Sequence, residues 1–120
     1  MALPTFSLDN QVVLITGAGS GIGAGIARGL GAFKAAVGCL DQSEDGAFET
    51  ASAITAAGGR AVALTGDVRD ESSMSDAVAR LEREFGPLNG ALNCAGVHDT
   101  SPAEAMTRAQ WQRLIDINLT

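Results

Sequence analysis

Short apolar runs and segments of helical periodicity alternate along the chain. Within the runs, polar and apolar positions do not alternate, which is typical of parallel strands covered on both faces. Because parallel strands are joined by long crossover connections, usually helices, this pattern predicts a parallel α/β sheet. The four predicted strands span residues 12–16, 35–40, 61–65 and 90–93.

Apolar residues three and four positions apart predict a helix after each strand. The first three predicted helices span residues 22–30, 44–57 and 71–85. Asp70 is the expected N-cap of the third helix. The fourth begins at Thr107, which forms a capping box with Gln110, and carries Trp111 and Asn118 on its apolar face.

Right-handed crossovers wind such a sheet in the strand order 3-2-1-4, a Rossmann-type doubly wound arrangement. Ligands of these sheets bind beyond the carboxyl ends of the strands, at the switch point between strands 1 and 4. The pattern therefore predicts where a binding site lies before any motif is considered.

The net negative charge of the chain bears on whether it binds nucleic acid or a membrane surface. The chain has 120 residues, enough for one domain, with 14 acidic and 8 basic side chains and a net charge of -6. Because no basic cluster offsets this charge, we expect no nucleic-acid partner and no membrane partner. No apolar run reaches membrane-spanning length, and we expect no secretory signal.

The two cysteines and the single histidine indicate neither a metal site nor a disulfide framework. Cys39 and Cys94 lie far apart and form no CxxC pair, so we expect no metal. They are interpreted as small apolar side chains in a reducing cytoplasm.

The segment Thr-Gly-Ala-Gly-Ser-Gly-Ile-Gly at residues 16–23, called the glycine turn below, joins the first strand to the first helix. Glycines here let the backbone approach a diphosphate with no Cβ atoms in the way. The free N–H groups and the positive dipole end of the helix then face the anion. No Lys-Ser/Thr pair follows the glycines, which disfavours a P-loop. The predicted cofactor contacts in this segment are Gly17, Ser20, Gly21, Ile22 and Gly23.

Asp41 follows the second predicted strand, 18 positions after Gly23, where a carboxylate accepts both hydroxyls of an adenosine ribose. A 2′-phosphate at this place would face a like charge, so Asp41 predicts NAD rather than NADP as the cofactor. Alternatively, Asp41 is a solvated loop acid or a cap for the 44–57 helix.

Four motifs, taken in order, resemble the short-chain dehydrogenase/reductase family. They are the spacing Thr-Gly-x-x-x-Gly-x-Gly, then Gly66-Asp67-Val68, then Asn93-Cys94-Ala95-Gly96, and the helical segment from Trp111 to Leu119. The resemblance covers the whole chain, and four ordered motifs are more specific than any one of them.

This resemblance implies roles for residues outside the glycine turn. Asp67 and Val68 would hold the adenine. The cofactor would also be lined by Asn93, Cys94, Ala95 and Gly96. Asn118 would be the asparagine of the catalytic tetrad, where a freed backbone carbonyl holds a water that connects a catalytic lysine to solvent.

The residues themselves leave other interpretations open. Asp67 alternatively caps a turn before the 71–85 helix. Asn93 alternatively satisfies loop backbone groups, and Asn118 alternatively satisfies its own helix backbone or a facing loop. Cys94 stands where the family usually has a second asparagine, so a side-chain hydrogen bond from that asparagine is lost or weakened. His98 lies in a polar loop, either on the surface or at a substrate pocket.

The family's catalytic Ser, Tyr and Lys come later in its sequences, and this chain contains no tyrosine. The resemblance therefore implies that residues 1–120 are the NAD-binding portion of a single domain, truncated before strand 5 and inactive alone. The full-length protein would be an NAD-dependent alcohol dehydrogenase or ketone reductase with a small-molecule alcohol or ketone substrate, as a homodimer or homotetramer. The alternative is a non-catalytic dinucleotide-binding module that ends naturally at residue 120.

Overall fold

The computed structural model describes residues 7–96 and 107–118. Strands and helices alternate through them, as the hydrophobic pattern predicts. The strands are β1 (Val12–Thr16), β2 (Ala36–Asp41), β3 (Arg60–Thr65) and β4 (Gly90–Asn93), and the helices are α1 (Gly21–Ala32), α2 (Glu44–Ala56), α3 (Glu71–Phe85) and α4 (Arg108–Asn118). The predicted strand limits differ from these by no more than one residue, whereas α1 runs two residues beyond its predicted end.

The four strands form one parallel sheet in the order β3-β2-β1-β4, which confirms the predicted order. The register sets Thr16 of β1 beside Leu40 of β2 and Asn93 of β4. Asp41 follows Leu40 and pairs with Thr65 of β3. The carboxyl ends of the four strands therefore meet at one edge of the sheet, and the glycine turn begins at that edge.

Both faces of the central strands are covered, which explains their continuous apolar sequences. Ile15 and Cys39 pack on the face with α1 and α2, whereas Leu14 and Leu40 pack on the face with Leu81 of α3. These side chains are almost fully buried. Burial raises the pKa of the Cys39 thiol to about 12, so Cys39 is a neutral core residue, as predicted.

Two helix starts follow the capping residues that the sequence predicts. The Asp70 carboxylate accepts hydrogen bonds from the N–H groups of Ser72 and Ser73 at the start of α3. At the start of α4, the N–H of Thr107 donates to the Gln110 side chain over 2.7 Å, and the N–H of Gln110 donates to Thr107 Oγ1 over 3.1 Å. This reciprocal pair is a capping box, which fixes where α4 begins.

β4 and α4 both carry exposed residues. Three of the four β4 residues are exposed, and Trp111 of α4 has 58% of its surface exposed. Helical spacing places Trp111 on the apolar face of α4, but spacing alone does not say which element covers that face.

Candidate functional site

Two positions of the glycine turn have a backbone conformation that favours glycine, but their surroundings differ. Gly17 and Gly21 have φ angles of +68° and +56°, in the left-handed region that favours glycine. A Cβ atom on Gly17 would also lie 2.7 Å from the backbone of Ala95, whereas one on Gly21 would meet no atom within 4 Å. Gly17 therefore permits the close approach of the segment after β4, and Gly21 leaves open space above the turn.

Gly23 lies in the first turn of α1 and is buried. A Cβ atom on Gly23 would collide with the carbonyl oxygen of Gly17 and lie 2.7 Å from its carbonyl carbon. The absence of a side chain therefore lets α1 start directly against the turn that precedes it.

The start of α1 presents its N–H groups without a side-chain cap. Ser20 is the N-cap residue in extended conformation, and within the described residues its side chain makes no capping hydrogen bond. Gly21 and Ile22 are exposed, Ile22 to 80%. The first N–H groups of a helix lack intrahelical partners and carry the positive end of its dipole, so this exposed start suits an anionic group.

Asp41 connects the end of β2 to the glycine turn. The N–H of Gly19 donates to its Oδ2 over 2.8 Å, and the N–H of Ser43 donates to its Oδ1 over 2.9 Å. The cap of α2 is Ser43, whose Oγ accepts the N–H of Gly46 over 3.1 Å, so Asp41 is not the cap that one alternative foresaw. Each carboxylate oxygen still has a further lone pair for a ligand hydroxyl.

Thr16 joins the glycine turn to the segment that follows β4. The side chain has 1% of its surface exposed. Its Oγ1 accepts hydrogen bonds from the N–H groups of Cys94, over 3.1 Å, and Ala95, over 3.2 Å. Sequence reasoning missed this role. The only signal was the position of Thr16 as the polar end of an otherwise apolar strand.

Replacing Thr16 by valine should lower the free energy of unfolding of the full-length protein by about 1–3 kcal/mol, because the N–H of Ala95 loses its acceptor in a partly buried place. The Thr16→Ser variant keeps the oxygen and should lose less. Urea denaturation measures both variants. A Thr16→Val protein as stable as the parent, with a loss confined to Thr16→Ser, would mean that the γ-methyl group, rather than the hydrogen bonds, stabilises this junction.

Asp67 forms an ion pair within its own turn. Arg69 donates from Nη2 to Oδ2 over 2.8 Å and from its backbone N–H to Oδ1 over 2.9 Å. The side-chain hydrogen bond from Arg69 and then its backbone hydrogen bond lower the pKa of Asp67 to about 2. The Asp67 carbonyl also accepts the N–H of Asp70 over 2.9 Å. The contacts with Arg69 and Asp70 are thus those of a turn before α3, and Arg69 was not foreseen.

A cleft of about 90 Å³ opens at the carboxyl edge of the sheet and brings several predicted residues together. It is lined by Gly17, Leu40, Asp41, Gln42, Gly66, Val68, Ala95 and Gly96. Five of these were predicted, and the contributions of Leu40, Gln42 and Gly66 were not. Asn93 ends β4 just before the lining residues, and Cys94 packs against the core on the α1 and α2 face.

The other predicted site residues do not line this cleft, or they lie outside the described residues. Ser20, Gly21, Ile22 and Gly23 form the start of α1 next to it. Asn118 is the last residue of α4, and its side chain lies outside the described part of the chain, as does the whole of His98. Across residues 7–96 and 107–118, no group of three His, Cys, Asp or Glu side chains is placed to hold a metal ion. No helix in those same ranges is long and apolar enough to cross a bilayer.

The strand order, the glycine turn and the cleft beyond the strand ends define a Rossmann-like α/β fold. Comparison with known families is consistent with this class. The sequence model of the short chain dehydrogenases matches residues 11–120, and the chain belongs to this family.

Curated relatives agree with the family assignment. Ketoacyl reductase HetN from Nostoc sp. (strain PCC 7120) is 35% identical over 113 residues, which cover 94% of this chain and 39% of HetN. Gluconate 5-dehydrogenase from Gluconobacter oxydans is 33% identical over 114 residues, covering 95% of this chain and 44% of the enzyme. The chain thus spans less than half the length of these relatives.

Solved structures show the same fold. A dehydrogenase/reductase from Sinorhizobium meliloti 1021 superposes with a TM-score of 0.88 at 33% identity, over 95% of this chain and 46% of that one. A hydroxysteroid dehydrogenase from Escherichia coli gives a TM-score of 0.88 at 30% identity, over 96% of this chain and 48% of that one. The described fold therefore corresponds to part of each larger structure.

Proposed function

We propose that this chain is the NAD-binding part of an oxidoreductase that transfers hydride between the nicotinamide and a secondary alcohol or ketone. The observation that carries the proposal is the position of Asp41, which ends β2 at the cleft and bonds the glycine turn through Gly19. A carboxylate there accepts ribose hydroxyls, and the adjacent turn offers N–H groups to a diphosphate.

Different residues of the site would bind different parts of the cofactor. The diphosphate would lie at the exposed start of α1, over Gly21, where the left-handed backbone leaves open space. Asp41 would accept the adenosine ribose hydroxyls. The adenine would occupy the cleft next to Val68, with the Asp67 carboxylate reaching it from the same turn. The segment from Asn93 to Gly96 would line the side toward the nicotinamide.

The chemistry of the bound cofactor is hydride transfer at the nicotinamide. The contribution of this chain is to bind and orient the cofactor, and Asn118 would hold the water of a proton relay through its backbone carbonyl. The tyrosine that serves the family as general acid/base for the alcohol or ketone would come from elsewhere, since the 120 residues contain none. We therefore infer that residues 1–120 are one portion of a single larger domain.

The substrate class is supported by what the relatives are called. They include a ketoacyl reductase and a gluconate 5-dehydrogenase, names that describe a reduced carbonyl and an oxidised alcohol.

A cytoplasmic location and a homodimeric or homotetrameric assembly stay predictions. The alternative to this proposal is a non-catalytic dinucleotide-binding module. Turnover of a secondary alcohol by the full-length protein distinguishes the two.

The full-length protein should bind NAD at least about 100-fold more tightly than NADP. A 2′-phosphate beside the Asp41 carboxylate juxtaposes like charges, which costs several kcal/mol, and about 1.4 kcal/mol is tenfold in affinity. Titration with both cofactors by calorimetry measures the ratio. Equal or tighter binding of NADP would contradict the assignment of NAD.

Asp41→Asn provides the matched variant for this ratio. It removes the charge and leaves one acceptor oxygen, so NAD should bind less tightly and the preference for NAD over NADP should shrink to roughly tenfold or less. Glu49→Gln removes one acidic charge from α2 at an exposed position and should leave the preference unchanged. An unchanged preference in Asp41→Asn would mean that another group discriminates against the 2′-phosphate.

A further inference from the structure

The peptide group between Ala18 and Gly19 is held from both of its sides. Its carbonyl oxygen, which belongs to Ala18, accepts a hydrogen bond from Thr50 Oγ1 over 2.7 Å. Its N–H, which belongs to Gly19, donates to Asp41 Oδ2 over 2.8 Å. The two partners come from different elements, since Thr50 lies in α2 and Asp41 ends β2.

Thr50 is placed for this contact by its position on α2. Its side chain has 1% of its surface exposed, on the helix face that also buries Ala47, Ala51 and Ile54. α2 also approaches the turn at its first residues, because a Cβ atom on Gly46 would lie 3.0 Å from the carbonyl oxygen of Gly19. A hydroxyl on this otherwise apolar face needs an acceptor, and the Ala18 carbonyl is that acceptor.

The orientation of this peptide group matters because the turn is rich in glycine. Gly17 and Gly19 flank Ala18, and glycine resists a change of φ and ψ less than other residues. The N–H of Ala18 donates to the carbonyl of Leu40 over 3.0 Å, which fixes the preceding peptide group. Rotation of the Ala18–Gly19 peptide would break both the Thr50 and the Asp41 hydrogen bonds at once.

We propose that Thr50 is a positioning residue for cofactor binding, which it supports by holding the Ala18–Gly19 peptide against Asp41. This inference rests on the proposed function, because it assigns the glycine turn to the cofactor. A consequence concerns Asp41, whose carboxylate would orient the turn as well as bind the ribose. Thr50 then keeps the turn in place from the other side of the same peptide.

The test compares three variants of the full-length protein. Thr50→Val keeps the shape of the side chain and removes the hydroxyl, and Thr50→Ser keeps the hydroxyl. Thr55→Val is the matched control, since Thr55 lies in the same helix and its Oγ1 donates to the Ala51 carbonyl over 3.0 Å, away from the turn. NAD affinity is measured by calorimetry, and hydrogen exchange of the Gly19 amide is measured without cofactor.

Thr50→Val should weaken NAD binding about tenfold, equivalent to about 1.4 kcal/mol, and should speed exchange of the Gly19 amide about tenfold. Thr50→Ser and Thr55→Val should stay within about twofold of the parent in both measurements. NAD affinity in Thr50→Val within twofold of the parent would overturn the positioning role, whatever the exchange rate. Losses of equal size in Thr55→Val would also overturn it, by showing a general effect on α2.

The exchange measurement separates this inference from the proposed function. If the parent binds no NAD, the proposed function fails and the positioning role falls with it. Faster Gly19 exchange in Thr50→Val would then still show that the Thr50 hydrogen bond stabilises this peptide group in the folded protein. If the parent binds NAD and neither measurement changes in Thr50→Val, the proposed function stands and the role of Thr50 is refuted.

Discussion

Gly23→Val should abolish NAD binding in the full-length protein, with affinity lowered at least about 100-fold, while most helix content remains. A Cβ atom on Gly23 would collide with the Gly17 carbonyl oxygen, so even one methyl group requires α1 to move away from the turn. The valine adds two further methyl groups at a buried position. A small displacement is enough to lose the diphosphate contacts, because hydrogen bonds weaken steeply with distance and angle. Calorimetry measures the affinity and far-ultraviolet circular dichroism measures the helix content.

Gly29→Ala is the matched control in the same helix. Gly29 is exposed, and a Cβ atom there would meet no atom within 4 Å. This variant should bind NAD as the parent does and gain about 0.5–1 kcal/mol in stability, since alanine favours a helix interior over glycine. A well-folded Gly23→Val protein that binds NAD like the parent would show that the glycine turn is not the cofactor site.

The sheet could be predicted from the sequence because its local signals agree with one another. The unbroken apolar runs in β1 and β2 indicated burial on both faces, and the structure places Leu14 and Ile15 on opposite sides. Asp70 and Thr107 fixed the starts of two helices through capping, which acts within one turn. These features depend on neighbouring residues, so spacing along the chain is enough to reveal them.

The hydrogen bonds of the candidate site could not be predicted in the same way. The contacts of Asp41 with Gly19 and of Thr50 with Ala18 join residues far apart in sequence, and they exist only after β1, β2 and α2 have packed. A sequence pattern assigns Asp41 to a strand end but does not specify its partners. Thr50 carried a usable signal, since it shares the helical spacing of Ala47 and Ile54, which predicts burial and hence a polar partner.

Arg69 illustrates a different reason for a missed contact. It lies two positions after Asp67, and the motif drew attention to Asp67 and Val68 alone. The structure turns the Asp67 carboxylate toward the Arg69 guanidinium, so its main hydrogen bonds are made within the turn. An exposed ion pair of this kind contributes little to stability, so a ligand can displace it. The turn contacts and the proposed adenine contact are therefore compatible.

Residues 1–120 expressed alone should show no dehydrogenase activity and should self-associate. Hydride transfer to or from an alcohol needs a general acid/base, and the tyrosine that supplies it in the family does not occur in these residues. We expect self-association because one edge of the described sheet is uncovered. β4 pairs with β1 on one side, and among the described residues no strand covers its other side.

An uncovered parallel strand offers unpaired N–H and C=O groups to a second chain. Leu92 on β4 and Trp111 on α4 add exposed apolar surface, which favours association further. Sedimentation velocity measures the association, and reduction of NAD with a panel of secondary alcohols and polyols measures activity. The full-length protein under identical conditions is the control. A compact monomer of residues 1–120 that oxidises any of these alcohols would contradict both the need for an external acid/base and the dependence of β4 on a further partner.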